Sequence, residues 1–332
     1  MPSSAKRPAL LYRPRHPLRF PLSVTLFLLL AAATLVLIPM GCGGSEPDEE
    51  IPAEETEAAD SASDYPVTVT DATGADIVIP ARPERIVSTA PANTEILFAV
   101  GAGGRIVGVT SLDDYPPEVE RIEKIGDFQP NVEKILSLEP DLVLGYAGNE
   151  EVLQPVSGEG IPVVIMNPRS VEEIFSSIEM VGRITGRSDA AEEVVLSLRA
   201  EMEGIANAAE EAGSTPRVFY ALDNTLWTAG PNSFVDALLN MVSAENIAAA
   251  GPSDYFQYTP EELIAADPDI VLLPKSVYTS TDEFTEDPRL SGLRAVAEGN
   301  VRLVDDVIIT RPGPRIAEGL RVLAEAVHPD VF

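Results

Sequence analysis

The chain has 332 residues, enough for one large domain or two lobes of ordinary size. Its 53 Asp and Glu against 23 Lys and Arg give a net charge of −30. A surface this acidic repels nucleic acid and anionic lipid, which excludes a nucleic-acid-binding role. A single cysteine excludes an internal disulfide, so stability rests on core packing. In chain order, residues 1–19 carry Lys6, Arg7, Arg13, Arg15 and Arg19 and no acid, and residues 20–40 carry no charge. Gly41 and Cys42 follow. A basic front, an apolar run and a small residue before a cysteine form a bacterial lipoprotein signal, with 1–41 removed and Cys42 lipidated. The pattern departs from the usual one where Pro39 and Met40 precede Gly41. The apolar run is also long enough for a membrane anchor, for which about 20 residues suffice. Either reading places the remainder outside the cytoplasm, because the basic residues stay inside.

Residues 42–64 are acidic and have no apolar face, which predicts a disordered tether. Beyond the signal the lysines are Lys124, Lys134 and Lys275. Acid excess with so little lysine suits a saline medium, where screening removes self-repulsion; an acidic solvated face is the plainer reading.

Alternation at 67–70 and 77–79 around Gly74 predicts a hairpin. Short apolar strands at 85–89, 106–110, 141–144 and 161–166 then alternate with helical stretches, the first of them at 93–100 and closed by Gly101. This alternation predicts a parallel sheet covered on both faces. Two helices follow, 170–187 with Ile174, Ile178, Val181 and Ile184 on one face, and 188–212 with Val194, Leu198, Met202 and Ile205. Ser188 is the expected N-cap of the second and Gly213 its stop. At about 24 residues it would run roughly 36 Å. Alternation restarts with a strand at 217–222, a helix at 233–243, strands at 269–273 and 301–304, and helices at 290–297 and 314–327.

The halves share a segment. Asn131-Val-Glu-Lys-Ile-Leu-Ser-Leu-Glu-Pro-Asp-Leu-Val-Leu aligns without gaps on Thr259-Pro-Glu-Glu-Leu-Ile-Ala-Ala-Asp-Pro-Asp-Ile-Val-Leu. Glu133 falls on Glu261, Pro140 on Pro268 and Asp141 on Asp269. One helix–strand unit used twice implies an α/β chain of two parallel-sheet lobes, 65–187 and 214–332, joined by one long bridging helix, 188–213. A cleft between such lobes is a natural ligand site.

Three stretches resemble substrate-binding lipoproteins of ABC importers for cobalamin, ferric siderophores and haem. They are Glu84-Arg-Ile-Val-Ser-Thr-Ala-Pro-Ala-Asn-Thr-Glu-Ile-Leu-Phe, Asp114-Tyr-Pro-Pro-Glu-Val, and the ending from Arg311-Pro-Gly-Pro-Arg-Ile to His328-Pro-Asp-Val-Phe. Asp114-Tyr-Pro-Pro is most similar to the cobalamin-binding branch. The resemblance implies two lobes that shift little on binding. It also implies a monomeric protein without a cofactor of its own, which delivers a small molecule to an ABC permease in the cytoplasmic membrane. The implied ligand is a cobalt corrinoid, with a ferric siderophore or haem as the other choices. Tyr115 occupies a place where an aromatic faces the corrin. Phe128, Tyr146, Tyr255 and Phe256 stand where that branch can carry tryptophan, and Trp227 lies near the first strand of lobe two. Asp305 or Asp306 would accept hydrogen bonds from ligand amides. Arg311 would meet a siderophore anion or a haem propionate, or else pair with an acid. Glu133 and Glu261 would dock on permease arginines; as first-turn acids they also suit the helix dipole.

No catalytic or metal constellation emerges. His16 lies in the signal and His328 near the end, and the folded part has no cysteine nucleophile. The adjacent pairs Asp113/Asp114 and Asp305/Asp306 carry the alternative reading of an extracytoplasmic hydrolase. Gly101-Ala-Gly-Gly follows a helix and precedes a strand, the wrong order for a dinucleotide loop.

Overall fold

The computed structural model describes residues 65–332. The expected signal peptide, Cys42 and the acidic tether lie outside the described residues. The first lobe opens with an antiparallel hairpin, β1 (Val67–Thr70) and β2 (Asp76–Ile79), registered Val67 opposite Ile79. Buried Asp71 organises its turn. One carboxylate oxygen accepts from the Thr73 N–H and hydroxyl and from the Ala75 N–H. The other accepts from the Ile165 N–H, 94 residues away, and so ties the hairpin to the sheet.

That sheet is built from β3 (Ile86–Ser88), α1 (Pro91–Ala99), β4 (Ile106–Val109), β5 (Glu123–Lys124), α2 (Val132–Ser137), β6 (Leu142–Tyr146), α3 (Glu150–Gly158) and β7 (Val163–Met166). Its five strands are parallel, in the order β5-β4-β3-β6-β7. α4 (Val171–Thr185) starts at a Ser170 cap that accepts from the Glu173 N–H, and it ends in left-handed Gly186. α5 (Ser188–Glu211) follows at once. The N-cap of α5 is Arg187, and Ser188 is its first helical residue without a side-chain cap, contrary to expectation. The Arg187 N–H closes α4 by donating to the Gly182 carbonyl, which moves the start of α5 back by one residue. Gly182 itself lets the two helices touch, since a Cβ there would stand 2.4 Å from that of Ala191.

The second lobe comprises β8 (Arg217–Tyr220), β9 (Trp227–Ala229), α6 (Phe234–Met241), β10 (Glu245–Asn246), β11 (Tyr255–Gln257), α7 (Pro260–Ala266), β12 (Ile270–Pro274), α8 (Asp282–Thr285), α9 (Arg294–Ala297), β13 (Val301–Val304), α10 (Asp306–Thr310) and α11 (Ile316–Val327). Its parallel sheet runs β10-β8-β12-β13, and β9 and β11 form a separate antiparallel ribbon. The helix expected at 290–297 is split into a 3₁₀ turn, Pro288–Leu290, and the short α9. Gly292 is a poor helix former, and extended Leu293 lets both Leu290 and Leu293 reach the same core.

The internal repeat is a structural one. Asn131 caps α2 and Thr259 caps α7, each through its side chain. Glu139 and Asp267, at matched positions, both take positive φ, 48° and 44°. Arg85 donates to the Leu138 and Glu139 carbonyls, and Arg217 to the matched Ala266 and Asp267 carbonyls. Asp141 accepts the Arg85 N–H and Asp269 the Arg217 N–H. The same clamp therefore fastens the central strands of both sheets.

Strand alternation divides each sheet between two cores. Leu142 and Leu144 of β6, Tyr220 of β8, and Ile270 and Leu272 of β12 face one shared core. α1, α4, α5, α6 and α11 also bury apolar residues in it. Val143 on β6 faces a separate core under the first lobe, and Phe219, Val271 and Leu273 face one under the second. The shared core runs unbroken from lobe to lobe along α5.

Burial alone would push the Asp71 carboxyl up, but its hydrogen bonds from Thr73, Ile165 and Ala75 outweigh that and hold it below the ordinary value. Asp71→Ala strips an acceptor from several backbone N–H groups and should cost about 2 kcal/mol in urea denaturation. A depressed acid stabilises only while ionised. The wild-type advantage over the variant should therefore be full above the unfolded value of about 4 and fade as pH falls through the lower folded value. A gap that persisted undiminished well into acid would contradict this assignment.

Candidate ligand-binding cleft

The carboxyl ends of the parallel strands from both sheets converge on one cavity of about 530 Å³. Thr89 follows β3, Leu112 follows β4 and Tyr146 ends β6; Ser276 follows β12 and Asp306 follows β13. Open α/β sheets place their sites at such strand ends. A cavity of about 520 Å³ beside Tyr258, Tyr278 and Phe284 is lined by the second lobe alone and lies away from these ends.

Phe128 reaches the cavity from the loop between β5 and α2 and is 79% exposed. Its loop is held by a relay: the Thr89 hydroxyl donates to Asn149 Oδ1 at 2.8 Å, and Asn149 Nδ2 donates to the Phe128 carbonyl at 3.1 Å. Tyr146, half-buried, lines the same cavity. Across it Asp306 accepts from the Ser276 N–H at 3.0 Å and from the Ser276 hydroxyl at 2.6 Å. Asp305 is spent as the cap of α10, accepting from the Ile308 N–H. Tyr255 lines a smaller adjoining cavity of about 310 Å³ that shares Asp306 and Thr310 with the first.

The remaining expected residues are placed differently. Phe256 alternates with Tyr255 on β11 and turns to the opposite side. Its ring lies over Gly251 and Gly230 and 5.2 Å from the Tyr258 ring, inside the second lobe. The expectation that it faces the cleft is corrected by that alternation. Trp227 is exposed on β9 and lines neither cavity. Tyr115 lines neither as well; it lies with the Arg315 guanidinium 4.2 Å from its ring centroid.

Arg311 lines the cavity yet is already paired. Its Nη1 donates to Glu95 Oε1 at 2.7 Å and to Asp114 Oδ1 at 2.6 Å. Arg315 donates to both oxygens of the same glutamate, at 2.8 and 3.1 Å. Glu95 lies on α1 of the first lobe with its side chain 1% exposed, and both arginines come from the second lobe, so the cluster bonds lobe to lobe. Burial pushes the Arg311 guanidinium down, but its bonds to Asp114 and Glu95 outweigh that and raise it. Burial likewise pushes Asp114 up, and Arg311 brings it below the ordinary value. Sequence reasoning gave no role to Glu95 or Arg315. The signal was an acid inside the apolar run Glu95-Ile-Leu-Phe, because a buried carboxylate demands partners.

Residues 86–307 match the family model for periplasmic binding proteins. The chain belongs to this family. It is 35% identical over 314 residues to an uncharacterized ABC transporter substrate-binding lipoprotein of Bacillus subtilis (strain 168), covering 92% of this chain and 96% of that one. It is 30% identical over 312 residues to a cobalamin-binding protein of Halobacterium salinarum, covering 90% and 83%. Among solved structures, the apo periplasmic heme-binding protein of Roseiflexus sp. RS-1 is similar with a TM-score of 0.67 and 30% identity, covering 75% of this chain and 99% of that one. The two-lobed α/β architecture is thus that of the family.

Removing the carboxylate with Glu95→Ala leaves two mostly buried guanidiniums facing each other, with Asp114 as the remaining acid. The cost should be about 3 kcal/mol in denaturant titration. A loss below about 1 kcal/mol would show that the lobes are held without this cluster.

Proposed function

We propose that the chain is an extracytoplasmic solute-binding protein that captures a corrinoid and hands it to an ABC import permease. The observation that carries the reading is the make-up of the interlobe cavity. Aromatic faces of Phe128 and Tyr146 stand on one side, and hydrogen-bonding groups of Ser276, Asp306 and Thr310 on the other. A corrin is a broad apolar ring fringed with amides, and it needs both kinds of wall. The Halobacterium relative, named as a cobalamin-binding protein, supports the same choice. Haem and carboxylate siderophores fit less well on charge. The cavity's arginine is neutralised by Glu95 and Asp114, while Asp306 presents a carboxylate that repels an anion. The relatives are binding proteins rather than enzymes, and three of the four adjacent acids that suggested hydrolysis have structural duties. Asp114 pairs Arg311, Asp305 caps α10, and Asp113 accepts from the Thr110 N–H.

Cys42 would carry the lipid anchor that keeps the protein at the outer face of the membrane. Glu133 and Glu261 are exposed second residues of the repeated helices α2 and α7. Such paired acids, one per lobe, suit docking on permease arginines. Titration calorimetry with cyanocobalamin, haemin and a ferric siderophore tests the ligand; tight binding of haemin or siderophore with none of cyanocobalamin would replace the reading. Phe128→Ala should weaken cyanocobalamin binding by about 1–3 kcal/mol, as for an aromatic anchor. Because the ring is so exposed, the melting temperature should not move. Reversing charge at both Glu133 and Glu261 should abolish uptake by cells yet leave the Kd within about twofold. A collapse of affinity in that double variant would assign the two glutamates to the fold or the cleft.

A further inference from the structure

The small cavity beside the main cleft is bordered by a buried tyrosine. Tyr220 ends β8 and is 1% exposed. The residue belongs to the shared core and also borders the 310 Å³ cavity together with Leu222, Phe234, Tyr255, Asp306 and Thr310, with its hydroxyl enclosed at the cavity wall. The hydroxyl has no hydrogen-bond partner among the described residues. A phenylalanine would fill the same core volume without burying an unsatisfied hydroxyl, so the oxygen is a standing cost to the free protein. Such a cost is explained when a ligand supplies the missing acceptor.

The cavity also fixes what kind of acceptor. Burial pushes the Tyr220 phenol up, with Asp306 and Asp305 adding to the effect, so it stays a neutral donor. Asp306 shares this cavity with it and opens onto the main cleft as well. Each carboxylate oxygen of Asp306 takes one bond from Ser276, which leaves lone pairs free. An O–H donor beside a carboxylate acceptor complements a primary carboxamide, whose carbonyl accepts and whose NH₂ donates. A carboxylate arm in the same place would be repelled by Asp306 and would have nothing to donate.

We propose that this side cavity is a specificity subsite that takes one pendant carboxamide of the ligand, with the Tyr220 hydroxyl donating to its carbonyl and Asp306 accepting from its NH₂. The assignment rests on the corrinoid reading, and it makes Tyr220 a ligand-contacting residue rather than core filler. A site built around such a donor discriminates sharply against ligands that leave it unpaired.

The test is Tyr220→Phe, read by melting temperature without ligand and by calorimetry with cyanocobalamin and its monocarboxylic acids, each of which has one side-chain amide hydrolysed. The ligand-free melting temperature should stay level or rise, since the unsatisfied hydroxyl is gone, while cyanocobalamin binding should weaken about tenfold. One monocarboxylic acid should bind the wild type much more weakly than cyanocobalamin does, and the Phe variant should discriminate less between those two ligands. Equal cyanocobalamin affinity in wild type and variant would overturn the subsite while leaving the corrinoid function standing. A lower melting temperature would assign the hydroxyl to the fold and overturn it too. Equal tolerance of every monocarboxylic acid would remove the carboxamide. Failure of the wild type to bind cyanocobalamin at all is the separate outcome that ends the corrinoid reading, and the carboxamide assignment with it.

Discussion

A single buried carboxylate ties the two lobes together at the floor of the cleft. Glu95 lies on a helix whose residues Ala92–Leu97 are all buried, so the helix has no polar face on which a charge can rest. Its charge is tolerable only because Arg311 and Arg315 arrive from the other lobe, at either end of Arg-Pro-Gly-Pro-Arg. Two prolines limit that turn's freedom, and Gly313 brings it against Ala92 in the first turn of α1. Ala92, Arg311 and Pro312 are themselves cavity lining. The ion cluster therefore positions the walls of the site as well as bonding the lobes, and burial protects it from the salt screening that weakens exposed pairs.

The shared core makes the same demand by other means. α5 does not lie as a free connector; its face from Ala191 through Ala209 is buried, and it packs against α4 and α11. A hinge motion would have to tear apolar contacts along that whole length and break the Glu95 bonds as well. A change of cleft width would therefore cost those contacts. A preorganised cleft avoids ordering costs on binding, which favours a stiff, flat ligand over one that must be wrapped.

Duplication explains where the chemistry ends up. The Arg85–Asp141 and Arg217–Asp269 clamps fasten the amino ends of the central strands, which leaves the carboxyl ends free to vary. There the lobes diverge, the first giving Phe128 and Tyr146 and the second Asp306, Ser276 and Tyr220. Residues of both lobes line the main cavity, and neither lobe forms the site alone.

Much was legible in the sequence because it depends on local periodicity. The 3.6-residue pattern located α4 and α5, short apolar runs located the sheet strands except the two-residue edge strands β5 and β10, and the ungapped repeat implied two lobes. Boundaries that depend on a neighbour were less legible. Arg187 rather than Ser188 caps α5 because α4 ends there, and Gly292 splits a helix that composition alone would continue. The cleft divides in the same way. Tyr146 ends a recognisable strand, so its place there was accessible from order along the chain, whereas Phe128 follows β5, whose two residues, Glu123 and Lys124, carry no strand pattern. Whether Tyr255 or Phe256 faces the cavity is a matter of strand parity, which residue types do not reveal. Arg311 meeting Glu95 spans 216 residues, and the unpaired Tyr220 hydroxyl is defined only by what fails to surround it. The sequence by itself determined the main parallel strands and the long helices, the duplication and the charge. The tertiary structure alone decided which charges cancel and which polar atom stays open, because pairing and desolvation are set by distances between residues far apart in the chain.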